Sequence, residues 1–133
     1  KRAASKAGGR NMDEKLKEEN IDYLYTEFQR ELCALEDKRD ALTREIGKID
    51  EGQELLDDIY TEMRWIFREA SEHCDEESFL RIMDEYEDDF YDCRRTVENE
   101  LEEKKELLET EKSNSYREEE DLRDEFQRVK RNC

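Results

Sequence analysis

No proline occurs anywhere in the chain, and glycine appears only four times in 133 residues. Nothing therefore forces a helix to break, and the abundance of Glu, Leu, Lys and Arg favours helix throughout. β-Branched residues are few and none alternates with period two, so no strand is predicted. No apolar run is long enough to span a membrane, and no signal peptide with a hydrophobic middle is visible. There is one histidine, with no candidate triad partner. No glycine-rich loop follows a strand, and no lysine sits in a phosphate cradle. These absences argue against catalysis and against any cofactor.

The four cysteines, Cys33, Cys74, Cys93 and Cys133, are widely separated, so there is no paired thiol motif for zinc or disulfide exchange. Cys33 is expected to face outward, Cys74 to sit in a turn and Cys93 to lie on a core stripe. All are expected to be reduced, as in a cytoplasmic protein. His73 beside Cys74 is too small a donor set for a metal site.

What the chain has instead is charge. Charged residues make up 49% and hydrophobic residues 34%, with a net charge of −17. Residues 1–11 hold Lys1, Arg2, Lys6 and Arg10 and no acid, so the remainder bears −21. Such a field repels nucleic acid and anionic membrane surfaces and suits a basic protein partner. Residues 1–11 are expected to be a loose basic arm or a cloning remnant ahead of a native start at Met12.

The remaining order is sevenfold. Ile21, Phe28, Leu35, Leu42, Ile49, Leu56, Met63 and Ala70 form one series. Tyr25, Leu32, Arg39, Ile46, Gln53, Tyr60 and Phe67 form a second, four residues later, broken in apolar character only by Arg39 and Gln53. Two interleaved series make the narrow seam of a coiled-coil helix, predicted to start near Asp13 or Glu14 and to end at residue 70. Gly47 and Gly52 fall inside it without shifting the register. Residues 71–75 lack large apolar side chains and are read as a reversal, with Asp75 as N-cap of the next helix. That second helix, residues 76–131, carries Phe79, Met83, Tyr86, Phe90, Cys93 and Val97 as its stripe. The stripe continues through Leu101, Leu108, Leu122 and Val129, with Ser115 at the missing step.

Levels across the turn can be matched by number. Val129 with Ile21, Leu122 with Phe28, Ser115 with Leu35, Leu108 with Leu42 and Leu101 with Ile49 all sum to 150. A constant sum defines an antiparallel pair, so the predicted fold is an all-α, two-helix coiled-coil hairpin with long arms over residues 12–133. The same rule places Arg39 level with Glu111, and an interhelical ion pair is expected there. The stripe is thin from Lys104 to Asp121, and Lys112 to Ser115 is the weakest helical stretch.

Seven of the twelve aromatic residues lie between Tyr60 and Tyr91. Trp65 does not fit the seam. Leu24, Ile59 and Ile66 flank it on the first helix, and Leu80, Ile82 and Tyr91 lie off the stripe of the second. Two helices cannot easily bury all of these, so Leu24, Ile59, Trp65, Ile66, Leu80, Ile82 and Tyr91 are the candidate partner-binding residues.

Two stretches, RWIFREASEHCDEESF around the turn and VENELEEKKELLETEKSNSYREEEDLRDEF in the second helix, give the chain a resemblance to a known family. It is similar to the small acidic helical targeting chaperones encoded with LXG toxins of the Gram-positive type VIIb secretion system, and more narrowly to the second of the two such families. The tryptophan-x-glycine turn of the related WXG-type proteins is absent, since Ile66 and Phe67 follow Trp65. The resemblance implies a non-catalytic adaptor in the bacterial cytoplasm. It would bind the helical N-terminal domain of an LXG toxin beside a sister adaptor, for export, and would in some cases leave with its cargo. Two further readings stand beside this one: a self-associating coiled-coil spacer, for which a homodimer is expected, and an acidic mimic of nucleic acid.

Overall fold

With every residue type but a few compatible with helix, the chain forms two: α1, Arg2–Glu72, and α2, Glu77–Asn132, packed antiparallel as a hairpin. The computed structural model describes the backbone of residues 2–132 and the side chains of residues 14–132. The basic side chains of residues 1–11 and Cys133 lie outside the described residues.

The reversal is tighter and later than residues 71–75. Ser71 and Glu72 remain helical, and the amide of His73 still donates to the carbonyl of Glu69 at 3.2 Å. The first helical bond of α2 runs from the amide of Leu80 to the carbonyl of Glu76 at 3.0 Å, which makes Glu76, not Asp75, the capping residue. Glu76 and Glu77 place negative charge at the positive end of α2, and Lys130 and Arg131 complement its other end.

The chain divides into two compact units, Leu42–Glu111 and the pair of segments Lys1–Ala41 with Lys112–Cys133. In the first, Leu42, Ile49 and Leu108 are buried, with Ile46 and Leu101 packed against them. Nearer the turn, Phe90 meets Tyr60 edge-on at 5.0 Å and Phe67 at 5.8 Å. Burying each Leu or Ile contributes about 1.5–3 kcal/mol, so a seam one stripe wide is a thin core. In the second unit, Phe28 stacks on Phe126 at 4.6 Å, and Leu32 is buried. Ser115, the missing step, is fully enclosed and its hydroxyl donates to the carbonyl of Leu35 at 3.4 Å. That contact joins two residues expected to share a level.

Among the described residues of α1, every buried side chain belongs to one of the two sevenfold series, and Tyr25 is the one series member that is exposed. On α2 the stripe departs from expectation. Tyr86 and Cys93 are exposed, and their places are taken by Glu87 and Arg94. The series Leu101, Leu108, Ser115, Leu122, Val129 extends backward in sevens through Arg94, Glu87 and Leu80, and all three are half-buried. Val97, Leu101 and Lys105 then follow at two successive steps of four, where α1 keeps alternating by three and four.

Arg39 does not pair with Glu111, which is exposed. It pairs with Glu119, Nη1 to Oε2 at 3.0 Å and Nη2 to Oε1 at 3.1 Å. The cause is geometric. Helical side chains lean toward their own N-terminus. In an antiparallel pair the two therefore lean toward one another, and long side chains meet partners numbered beyond the level of their own Cα. The Arg39 guanidinium also lies 4.3 Å from the ring centre of Tyr116, and Arg123 reaches Glu119 at 3.6 Å. The thin part of the stripe is thus a polar layer within the helix, and it is helical throughout.

Candidate functional site

Within the unit Leu42–Glu111, the seam separates two flanks of opposite character. Positions 50, 57 and 64 of α1 lie to one side of it, and positions 52, 59 and 66 to the other, because a step of seven keeps a residue on its own side. On α2 the corresponding series are 91, 98, 105 and 79, 86, 93.

The first flank is closed by polar contacts between the helices. Lys105 Nζ meets Asp50 Oδ1 at 2.8 Å. Arg94 donates Nε to Glu98 at 2.9 Å, reaches Asp57 at 3.5 Å and lies 4.6 Å from the ring centre of Tyr60. Arg64 donates Nε to the Tyr91 hydroxyl at 3.1 Å. Hydrogen bonds from Lys105 to Asp50 and from Arg94 to Glu98 are the main causes that raise the pKa of each cation above its ordinary value. Exposed pairs of this kind add little stability singly, but together they fill this side of the seam with matched charge.

The second flank carries no such clasp among the contacts of the described residues. Ile59 and Ile66 on α1 are 43% and 45% exposed. Opposite them on α2 stand Tyr86, 58% exposed, and Cys93, also exposed, with Phe79 half-buried toward the turn. By the constant-sum rule Ile66 lies close to the level of Tyr86, and Ile59 to that of Cys93. Leu55 and Ile82, one step further round their helices, widen the apolar surface, and both are exposed.

The seven predicted residues therefore separate. Ile59, Ile66 and Ile82 lie on the open flank. Trp65 is 61% exposed but on the back of α1, opposite the seam and ringed by Thr61, Glu62, Arg68 and Glu69. Leu80 is half-buried on the seam series, and Tyr91 belongs to the closed flank through Arg64. Leu24 lies in the other unit. There it lines a shallow cleft of about 200 Å³ with Phe28, Leu122, Phe126 and Val129, walled by Glu27, Glu31 and Glu125. Sequence reasoning missed Leu55 and Tyr86. The available signal was the sevenfold run 101, 94, 87, 80, which frees Tyr86 from the seam.

Among the described residues, no group of three or more His, Cys, Asp or Glu side chains is arranged to hold a metal ion. His73 sits exposed in the turn with Nε2 at 3.1 Å from a Glu69 carboxylate oxygen. No helix is long and apolar enough to cross a membrane among those residues. The chain matches no protein family, no curated protein and no solved structure.

Proposed function

We propose that this chain is a non-catalytic adaptor that completes a helical bundle with a segment of another protein. The observation that carries the reading is the asymmetry of the seam: one flank is held shut by ion pairs, the other presents Ile59, Ile66 and Tyr86 to solvent. Exposed apolar side chains on two adjoining helices are satisfied by a further helix laid along them. The resemblance to the second LXG-associated family gives the partner a class: the helical N-terminal domain of a type VIIb toxin, bound beside a sister adaptor in the bacterial cytoplasm and readied for export. Co-purification of the chain with such a domain, using wild type and I59D/I66D, tests the reading. Capture by wild type and its loss in the variant, with helicity unchanged, is the expected result. Equal capture by both overturns it.

Exposed apolar residues can also be covered by a second copy of the chain, and a self-associating spacer is therefore the competing reading. Sedimentation equilibrium separates the two, because the adaptor remains a monomer without its partner.

A further inference from the structure

From Leu55 toward the turn the open flank is also acidic, and one-sidedly so, whereas Lys48 and Lys104 stand beside Gly52 at its other end. Between Glu51 and Glu100 the chain has five cationic side chains: Arg64, Arg68, Arg81, Arg94 and Arg95. Arg94 occupies the seam and Arg64 the closed flank. Arg68, Arg81 and Arg95 each follow a seam residue directly, which puts them on the closed side as well. The open side has no cation in this stretch. Its apolar residues are bordered by acids instead. Glu62 lies between Ile59 and Ile66, four residues before the latter; Glu69 follows Ile66 by three, and Asp89 follows Tyr86 by three. Glu100 continues the series of Tyr86 and Cys93. Glu62, Asp89 and Glu100 are exposed.

We infer that this flank receives one amphipathic helix with basic borders, its apolar stripe against Ile59, Ile66, Ile82 and Tyr86 and its Lys or Arg rows against Glu62, Asp89 and Glu100. The inference rests on the adaptor reading and adds the partner's charge to it. Apolar contact supplies the burial, and opposite charge along both borders selects among helices with similar stripes. A second copy of this chain is disfavoured by the same borders, because pairing two such flanks sets acid against acid. The cleft of the other unit, considered alone, has the same make-up: an apolar floor of Phe28, Leu122 and Phe126 with three glutamates as walls. A helix of about eighteen residues, roughly 27 Å long, covers the span from Ile82 to Glu100.

Three fluorescent peptides of about eighteen residues test this, each long enough for five helical turns. Two share one apolar stripe and differ in having Lys or Glu along its borders; the third is the Lys peptide in scrambled order. Anisotropy against the full chain is expected to show the patterned Lys peptide binding about tenfold or more tighter than either other, with affinity that falls as salt rises. E62K/D89K is expected to weaken the Lys peptide and strengthen the Glu peptide, and I59D/I66D to abolish both. All four positions are exposed, and circular dichroism checks that the variants stay helical. Equal affinity for Lys and Glu borders, lost in I59D/I66D, overturns the charge selection and leaves the adaptor reading standing. Scrambled peptide binding as well as patterned peptide, or no peptide binding at all, overturns the inference too. A dimer that dissolves in I59D/I66D assigns the flank to a second copy and overturns both.

Discussion

Arg39 holds Glu119 with both terminal nitrogens, in a fork at 3.0 and 3.1 Å that joins two side chains hardly exposed to water. Hydrogen bonding from Arg39, joined by its charge and that of Arg123, lowers the pKa of the Glu119 carboxyl below its ordinary value. A carboxyl whose folded value is depressed stabilises the fold fully above its unfolded value, here the ordinary 4.5, and loses that contribution as pH falls through the folded value. Thermal unfolding of wild type and E119Q, compared from about pH 6 down to about pH 3, is expected to show a gap that narrows with acid. A constant gap contradicts the assignment.

Tyr60 behaves in the opposite sense. Burial, the largest cause, raises its pKa above the usual 10.0, because the ring is enclosed beside Phe90. Its contribution is complete below that ordinary value and is lost as pH rises through the folded one. Y60F is therefore expected to unfold less readily than wild type above about pH 10, relative to their difference at neutral pH. Alkaline titration followed by circular dichroism measures this.

Ser115 occupies a place in the sevenfold series where a leucine would look natural. The structure argues against that substitution, since Ser115 is wholly enclosed and lies against the backbone of Leu35. S115L is expected to destabilise by about 1–3 kcal/mol through overpacking. S115A is expected to cost at most about 1 kcal/mol, the worth of one ordinary hydrogen bond. Urea unfolding of both variants checks the order.

A Cβ added at Gly47 or at Gly52 meets nothing within 4 Å, and neither residue has positive φ. Each is a helical glycine with no steric reason to be one. G47A and G52A are expected to stabilise by about 1 kcal/mol apiece, in the same urea assay.

Cys93 and Cys33 are both exposed, and only Cys93 belongs to the open flank. Maleimide labelling of the free chain is expected to modify both. Binding of a helical partner at that flank is expected to slow Cys93 and leave Cys33 unchanged. Equal rates at Cys93 with and without partner place the contact elsewhere.

The seam of α1 was readable almost residue by residue, because apolar side chains fill it and the step never varies. The stripe of α2 was readable from Leu101 onward and, nearer the turn, at Met83, Phe90 and Val97, but not at Tyr86 and Cys93. Toward the turn, charged Glu87 and Arg94 hold seam positions while Tyr86 and Cys93, which look like core, face outward. The eye follows chemistry there, and the helix follows the interval. Arg39 was recognisable as a paired arginine, but matching Cα levels ignores the lean of long side chains and names Glu111 in place of Glu119. Ile59 and Ile66 were identifiable as a flank. Whether that flank was the open one depended on where Arg64, Arg94 and Lys105 reach, and an intramolecular reach across two helices has no one-dimensional signature.

The clasp of Arg94, Arg64 and Lys105 also bears on stoichiometry. A pair of rods with grease along both edges can gather neighbours from two directions and so grow into a fibre. In the unit Leu42–Glu111 one edge is already spent on the molecule's own charges, and one berth is left there. Recruitment at that berth ends with the first arrival, so this unit offers a neighbour one edge and not two.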